Sequence, residues 1–304
     1  MILPRKGDPI IIQNITGKYG RFHARLMLDY GTNIAAGATP GKGGQTVEGI
    51  PVFSKVAEAV DKTGAKASVL FVPAEFAYGA GEEAILAGIK LLVIITERIP
   101  VRDTLRLVQL ANKNGASIVG PNCPGLIVPS AQVKMGIMPV TSFAPGNVAL
   151  FSRSGTLMYE IAGQLTKSGY GQSVALGIGG DPVNGTSATE CLDFVEGLEN
   201  TKAVVVVGEI GGDAEERLAA HISKSSRRKP VVAYIAGRYA PKEKKLGHAG
   251  AIIYGNYGTA ESKIRALSGA GVGVAMTPME VPSLVAKALQ RGCQGQHVSK
   301  AKAS

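Results

Sequence analysis

The sequence predicts an α/β protein with two domains, each built on a parallel β-sheet. Short apolar runs alternate with helix-length amphipathic segments, as in parallel sheets covered by helices. This alternation pauses between Val128 and Gly146 and then begins again, which places the domain boundary there. The 304 residues include 40 glycines and only 5% aromatic residues, a composition typical of folds with many tight strand-to-helix turns.

The first half contains five predicted strands and three predicted helices. Each strand is a short aliphatic run, and each helix is amphipathic. In chain order they are a strand at 9–14, a helix at 21–30, strands at 33–38 and 69–72, a helix at 81–87, a strand at 91–95, a helix at 102–114 and a strand at 117–119.

The second half repeats the pattern after the loose stretch 131–145. Its polar end, residues 292–304, predicts a disordered tail. In chain order the elements are a strand at 148–151, a helix at 156–168, a strand at 173–177, a helix at 191–198, a strand at 203–207, a helix at 213–225, a strand at 230–235 and helices at 261–268 and 281–288.

Charge and composition narrow the function classes. The formal net charge is +10, with Lys and Arg scattered rather than clustered with aromatic residues; a basic surface of this kind also suits anionic small molecules, so the charge alone does not decide between them and nucleic acid. No apolar run is long enough to span a bilayer. The start of the chain lacks a signal-peptide pattern, and the three cysteines lack CxxC spacing. These features indicate a cytoplasmic protein, with a processed mitochondrial form left open.

A Gly-rich turn, 14–20, joins the first strand to the first helix. Backbone N–H groups at such a turn bind anions. The turn has two glycines of a GxGxxG pattern, and the next strand ends in TPGKGG (39–44) rather than in the acidic residue of an NAD site. Lys42 favours a phosphorylated adenosine moiety, so CoA fits better than NAD, and an ordinary flexible loop is the alternative. The loops 95–100 and 120–125 follow two further strands, and Cys123 is interpreted as a buried structural cysteine.

His248 is the strongest catalytic candidate in the second half. Small residues flank it in GHAGAI (247–252), whereas His221 and His297 lie in a polar helix and the tail, and His23 lies at the start of the first helix. Glu209 follows a buried strand and supplies an acid that can orient an imidazole. A strand-to-helix turn, SRSGTL (152–157), supplies hydroxyl and N–H groups for a phosphoryl group.

These motifs together resemble the α-subunits of the succinyl-CoA synthetase (succinate–CoA ligase) family. The second half contributes SRSGTL (152–157), GIGGDP (177–182), GEIGG (208–212) and GHAGAI (247–252). The first half contributes ITGKYGRFH (15–23), TPGKGG (39–44) and GPNCPG (120–125). The resemblance covers roughly residues 8–290. Asn14 departs from the family, which usually has glycine before the phosphate loop.

The resemblance implies a role for each matching residue. His248 would be phosphorylated and Glu209 would hydrogen-bond it. Ser154, Gly155 and Thr156 would receive the phosphohistidine, and Tyr159 would lie near the organic acid. The positions implied for CoA are Thr16, Gly17, Lys18, Tyr19, Lys42, Ile95, Thr96 and Glu97.

The resemblance also implies the domain plan and the partner. Residues 1–130 would form a Rossmann-like CoA-binding domain, and 146–291 a flavodoxin-like phosphohistidine ligase domain. The chain has no GxxxxGK[ST] loop and no clustered carboxylates for a metal. ATP or GTP with Mg²⁺ would therefore bind mainly to a β-subunit with an ATP-grasp fold, in an αβ or (αβ)₂ assembly.

The sequence also permits other functions. Malate–CoA ligases and citryl-CoA synthetases share this subunit architecture, so succinate is the default acid among three. A nicotinamide-dependent oxidoreductase would explain the first half, although Lys42 argues against it. A non-catalytic CoA- or nucleotide-sensing module would leave Glu209 and His248 without a purpose.

Overall fold

The computed structural model describes residues 1–225, 229–239, 248–252 and 258–300, with the backbone alone for 291–300. The chain divides into two compact units. Unit 1 comprises Met1–Val140 and Leu176–Thr186, and unit 2 comprises Thr141–Ala175 and residues from Ser187 onward. The segment Leu176–Thr186, although it follows the predicted boundary, groups with unit 1.

Unit 1 contains a sheet with the strand order β3-β4-β2-β1-β5-β6-β7. All its pairs are parallel except β3–β4, and numbering the parallel strands along the chain gives the order 3-2-1-4-5-6 of a Rossmann fold. The elements are β1 (Ile10–Gln13), α1 (Lys18–Tyr30), β2 (Ile34–Ala38), β3 (Thr46–Val47), β4 (Ile50–Phe53), α2 (Val56–Thr63), β5 (Ala67–Leu70), α3 (Ala74–Leu86), β6 (Leu91–Ile94), α4 (Val101–Lys113), β7 (Ser117–Val119) and the antiparallel hairpin β8 (Gly125–Val128) and β9 (Val133–Gly136).

Unit 2 contains the strand order β14-β13-β12-β10-β11. Numbered along the chain, this is the order 2-1-3-4-5 of a flavodoxin-like fold. The elements are β10 (Pro145–Ser152), α5 (Gly155–Lys167), β11 (Gln172–Gly177), α6 (Ala188–Glu196), β12 (Ala203–Glu209), α7 (Ala214–Lys224), β13 (Val231–Ala236), α8 (Ala260–Gly269), β14 (Gly273–Ala275) and α9 (Val281–Lys300). The predicted fold class is therefore confirmed for both halves.

Both sheets are buried on their two faces, which explains why their strands are continuous apolar runs rather than alternating ones. In β1, Ile10, Ile11 and Ile12 are fully buried, and in β12 every residue from Ala203 to Glu209 is buried. In the described part of the chain, no helix has the length and apolar character needed to cross a membrane.

Several short elements were not predicted. The hairpin β3–β4 turns at Glu48 and Gly49, which both have positive φ, and its strands are too short to show a period. The strands β8, β9 and β14 and the helix α2 were also missed, and α3 begins at Ala74 rather than at residue 81. Helix α9 continues to Lys300, into the segment for which the sequence predicts a disordered tail.

Candidate active site

Two adjacent strands of unit 2 place the candidate catalytic groups at one edge of the sheet. β10 and β12 are parallel neighbours, and Ser152 pairs with Val207 in their register. The backbone N–H of Arg153 extends this ladder by donating to the carbonyl of Val207 at 3.1 Å. Glu209, the last residue of β12, therefore ends beside the turn that leads into α5.

The ring of His248 is bound to the carboxylate of Glu209. The distance from Nδ1 of His248 to Oε2 of Glu209 is 2.7 Å. Glu209 is buried, while the His248 side chain keeps 30% of its surface exposed. An ionised carboxylate only accepts hydrogen bonds, so Nδ1 carries a hydrogen, and in the neutral ring the lone pair is on Nε2.

Arg153 completes this group, and the sequence analysis missed it. Its Nε lies 3.4 Å from Oε1 of Glu209, and both side chains are 9% exposed. Among the described residues Oε1 has no hydrogen-bond donor in good geometry, so the contact with Arg153 is an ion pair. The burial of Arg153 becomes visible only in the folded structure, and a buried cation at a strand end requires a buried anion nearby.

A close backbone contact holds the loop of His248 against the end of β12. Gly211 has a φ of +94°, and a Cβ there would lie 2.1 Å from the carbonyl oxygen of Gly250. Its N–H donates to the carbonyl of Gly258 at 2.8 Å. At position 211 only glycine combines the positive φ with the close approach to the Gly250 carbonyl.

The turn after β10 presents the N-terminus of α5. Ser154 is the N-cap, and its Oγ accepts from the N–H of Leu157 at 3.4 Å. The helix uses its first N–H groups for no internal bond, so Gly155 and Thr156 present backbone donors and Thr156 also presents a hydroxyl. The macrodipole adds partial positive charge at this end. Together these groups suit an anion.

Tyr159 lies one turn further along α5. Its ring packs edge-on against Phe143, with the centroids 6.4 Å apart. It also lines a cavity of about 370 Å³, together with Thr141, Ser142 and Glu160.

In unit 1, Asn14 shapes the Gly-rich turn between β1 and α1. It has a φ of +60°, a conformation open to glycine and tolerated by asparagine. Its Nδ2 donates to the carbonyl of Phe71 at 3.1 Å, so the unusual asparagine keeps the backbone shape that glycine would give. Gly20 packs against it, since a Cβ there would lie 2.1 Å from the carbonyl oxygen of Asn14.

The first turn of α1 has the features of an anion site. Gly17 is its N-cap and makes no side-chain capping bond, so the first N–H groups of the helix point out of the turn. Thr16 is half-buried, and Lys18 and Tyr19 are exposed.

The loop after β2 lies at the same edge of the sheet as this turn. The N–H of Lys42 donates to the carbonyl of Thr39, and that of Gly43 to Oγ of Ser54, both at 3.1 Å. The Thr39 hydroxyl is buried without a hydrogen-bond partner in the described structure. Most buried polar atoms have a hydrogen-bond partner, so this hydroxyl is a candidate ligand contact, which the sequence does not single out.

The loops 95–100 and 120–125 meet in unit 1, as their positions after neighbouring strands require. The N–H of Asn122 donates to the carbonyl of Thr96 at 2.9 Å, and Oγ1 of Thr96 donates to the carbonyl of Val72 at 2.6 Å. Ile95 is half-buried, and Glu97 is exposed and pairs with Arg98.

Burial raises the pKa of the Cys123 thiol to about 12, so this cysteine stays protonated at neutral pH.

The other histidines have different surroundings. His23 stacks on Phe71, with the ring centroids 5.5 Å apart. His221 pairs with Asp193 at 2.7 Å near the surface of unit 2. His297 lies outside the described side chains.

The chain matches two known protein families. Residues 6–98 match the CoA binding domain family, and residues 151–273 match the CoA-ligase family. The chain is 56% identical over 280 residues to succinate–CoA ligase [ADP-forming] subunit alpha 2 of Archaeoglobus fulgidus, covering 92% of this chain and 96% of that protein. It is 51% identical over 291 residues to the corresponding alpha subunit of Aquifex aeolicus, covering 95% of each.

Solved structures share the fold at lower identity. ATP citrate lyase from Methanothrix soehngenii, in complex with citrate and coenzyme A, superposes with a TM-score of 0.86 at 22% identity and covers 96% of this chain. A dinucleotide-forming acetyl-coenzyme A synthetase from Ca. Korarchaeum cryptofilum gives a TM-score of 0.71 at 23% identity and covers 91% of this chain. This chain spans 52% and 59% of those two chains.

Proposed function

Because the chain belongs to the family of succinate–CoA ligase alpha subunits, we propose that it binds CoA and relays a phosphoryl group on His248. The observation that carries this proposal is the 2.7 Å contact between Nδ1 of His248 and Oε2 of Glu209. A buried carboxylate that fixes one ring nitrogen leaves the other as a nucleophile. Among the described histidines of the CoA-ligase domain, His221 also has a carboxylate partner, but the side chain of that partner, Asp193, is 54% exposed.

The relay uses Nε2 of His248. Nε2 attacks the phosphorus atom, an N–P bond forms, and the P–O bond to the leaving oxygen breaks. In the ligase direction the nucleoside diphosphate leaves, and the phosphoryl group then passes to the carboxylate of the acid to give an acyl phosphate. Glu209 stabilises the positive charge that develops on the imidazole, and each step is reversible.

The phosphoryl group needs donors and a positive potential while it resides on the histidine. Ser154, Gly155 and Thr156 at the start of α5 offer backbone N–H groups, hydroxyls and the positive helix end. Arg153 adds a buried guanidinium beside Glu209. We assign these residues as the phosphate site.

The residues of unit 1 fit CoA. Donors and positive charge for a phosphorylated ligand come from the first turn of α1, from the exposed ammonium of Lys42, and from the Thr39 hydroxyl, which has no partner among the described residues. We propose that Thr16, Gly17, Lys18, Tyr19, Lys42, Ile95, Thr96 and Glu97 hold CoA. When bound, CoA supplies the thiol that takes the acyl group.

The remaining components would come from a partner. The relatives are named alpha subunits, and we propose that a β-subunit with an ATP-grasp fold binds ATP or GTP with Mg²⁺, in an αβ or (αβ)₂ assembly in the cytoplasm. Succinate is the proposed acid, because it is in the names of these relatives, and Tyr159 is the proposed contact on this chain.

The test is a coupled assay of the chain reconstituted with its β-subunit. Succinate, malate and citrate are supplied one at a time with CoA and ATP or GTP, and nucleoside diphosphate release is measured. We expect succinate to support turnover and His248→Asn to abolish it. Turnover with malate or citrate alone would move the assignment to another acid, and CoA binding without turnover for any acid would favour a CoA-sensing module.

A further inference from the structure

A fully buried lysine lies beneath the segment that carries Glu209. Lys263, on α8, is 0% exposed, and lysine is buried to this extent only when it is paired. Its Nζ donates to the carbonyl of Gly212 at 3.1 Å and to Oε2 of Glu216 at 3.2 Å, and it forms a hydrogen-bonded ion pair with Oε2 of Glu215. The three hydrogens of the ammonium group thus have three acceptors.

Glu215 connects this lysine to the backbone of Glu209. While Oε2 binds Lys263, Oε1 accepts a hydrogen bond from the backbone N–H of Glu209 at 3.3 Å. Gly208 permits the approach, because a Cβ there would lie 2.5 Å from Oε1 of Glu215. The carboxylate therefore bridges a buried cation and the start of the Glu209 segment.

The two contacts fix both ends of the segment Glu209–Gly212. Glu215 holds its first N–H, and Lys263 holds its last carbonyl. Between these ends, Gly211 packs on Gly250 in the loop of His248. A shift of this segment would move the Glu209 carboxylate relative to Nδ1 of His248.

Fold stability alone gives little reason for such a pair. Replacing a buried ion pair by apolar residues of similar volume often leaves stability unchanged or raises it. We propose that Glu215 and Lys263 are positioning residues, which set the backbone of Glu209–Gly212 and so align Glu209 with His248. The proposal rests on the proposed function in that His248 is taken as the reacting group.

The chain offers a matched pair of variants for the test. The Glu209 N–H and Lys263 contact different oxygens of Glu215, and Glu215→Gln replaces one of these oxygens by an NH₂ group, which only donates, so one of the two contacts is lost in the present geometry. Glu216→Gln makes the same chemical change on the same helix beside the same lysine. The side chain of Glu216 is 26% exposed and bonds Ser262 and Lys263, so its amide has room to reorient without touching the Glu209 segment.

Both variants are prepared as the complex with the β-subunit, and three quantities are measured. These are the rate of phosphohistidine formation, the KM for CoA, and the NMR signal of the His248 Nδ1–H hydrogen bond in ¹⁵N-histidine-labelled protein. A misplacement of about 1 Å can cost about 100-fold in rate. We expect Glu215→Gln to slow phosphorylation by about 10- to 100-fold and to weaken the Nδ1–H signal, with the KM for CoA unchanged. Glu216→Gln should keep the rate within about threefold of wild type.

The outcomes separate this inference from the proposed function. If both variants keep the wild-type rate and the Nδ1–H signal, or lose them equally, Glu215 has no positioning role, although His248 can still be the relay. If the wild-type complex forms no phosphohistidine, the proposed function fails, and the Nδ1–H signal still decides whether Glu215 aligns Glu209 with the ring. A double variant, Glu215→Gln with Lys263→Met, should remain folded and keep the rate defect of Glu215→Gln.

Discussion

His248 and Glu209 are 39 residues apart in the chain, yet Nδ1 of His248 lies 2.7 Å from Oε2 of Glu209. The carboxylate is at the end of a central buried strand and is therefore fixed by the sheet, whereas the histidine is in a loop that packs against the glycines following that strand. A rigid acid thus orients a ring that remains partly exposed. A fixed carboxylate beside a partly exposed ring suits a histidine that must accept a phosphoryl group and pass it on.

Replacing Glu209 by glutamine should slow the enzyme and should also lower the stability of unit 2, because Arg153 loses its buried anionic partner. The amide can still accept a hydrogen bond from Nδ1, but the negative charge that stabilises the phosphorylated imidazole is lost. A contribution of this kind is worth about 100-fold or more in rate. The measurement is kcat of the reconstituted complex, with Asp213→Asn as the control, since Asp213 is a more exposed acid after the same glycine turn. Equal effects of the two changes would contradict the role of Glu209.

Replacing Arg153 by methionine should destabilise unit 2. The change leaves the buried carboxylate of Glu209 without its cation, and the loss of one partner of a buried pair costs about 3 kcal/mol. The exposed pair of Arg217 with Asp213 provides a control, and Arg217→Met should cost less than about 1 kcal/mol. Denaturant unfolding of the two variants measures both values, and equal losses would show that the Arg153 pair is not a buried stabilising contact.

Replacing Gly20 by alanine should impair CoA binding. The added Cβ would lie 2.1 Å from the carbonyl oxygen of Asn14, so the turn before α1 must move. We expect CoA affinity to fall at least tenfold, which is about 1.4 kcal/mol. Gly79→Ala, in α3, is the matched control, since nothing lies within 4 Å of its Cβ position, and it should stabilise the protein by about 0.5–1 kcal/mol. The affinity of each variant for CoA is measured by calorimetric titration. An unchanged affinity in Gly20→Ala would mean that CoA does not bind at the turn before α1.

His23 should make stability depend on pH. Burial, with a smaller contribution from the charge of Lys134, lowers the pKa of His23 from 6.5 to about 4. Above pH 6.5 the ring is neutral in both the folded and the unfolded chain. Between pH 6.5 and about 4 the unfolded chain binds the proton first, so the free energy of unfolding falls as the pH falls.

The measurement is the free energy of unfolding from pH 7.5 to 4, for wild type and His23→Phe. Phenylalanine retains the ring that stacks on Phe71 but cannot bind a proton. The variant should therefore show a weaker loss of stability between pH 6.5 and 4. Identical pH profiles of the free energy of unfolding would mean that protonation of His23 does not contribute to the loss of stability.

The sequence predicted the two sheets because their main strands are continuous, fully buried runs such as Ile10–Gln13 and Ala203–Glu209. It missed β3, which contains only two residues, and β4, whose four residues alternate between buried and more exposed positions; the two strands are joined through Glu48 and Gly49 at positive φ. It also assigned GIGGDP (177–182) to the second domain. The structure places this loop in unit 1, where Asn122 donates from Nδ2 to Oδ1 of Asp181 at 2.9 Å, a tertiary contact that no local pattern reveals.

The candidate site was predictable only in part. Glu209 and His248 stand in glycine-rich motifs that mark them in the sequence. Arg153, Glu215 and Lys263 stand in ordinary helix and turn contexts, and their burial becomes visible only when α7, α8 and the strand ends pack together. Asn14 seemed a departure from the family pattern, and its φ of +60° shows how the turn accommodates it.

The most direct test of the central claim is a phosphorylation trap on the complex of this chain with its β-subunit. The complex is incubated with γ-labelled ATP or GTP, and acid-labile, base-stable label is mapped by peptide analysis, followed by a chase with CoA and succinate. The account predicts label on His248 that the chase removes, and no label in His248→Asn. An active complex whose wild-type chain carries no label on His248, or whose His248→Asn variant turns over normally, would contradict it.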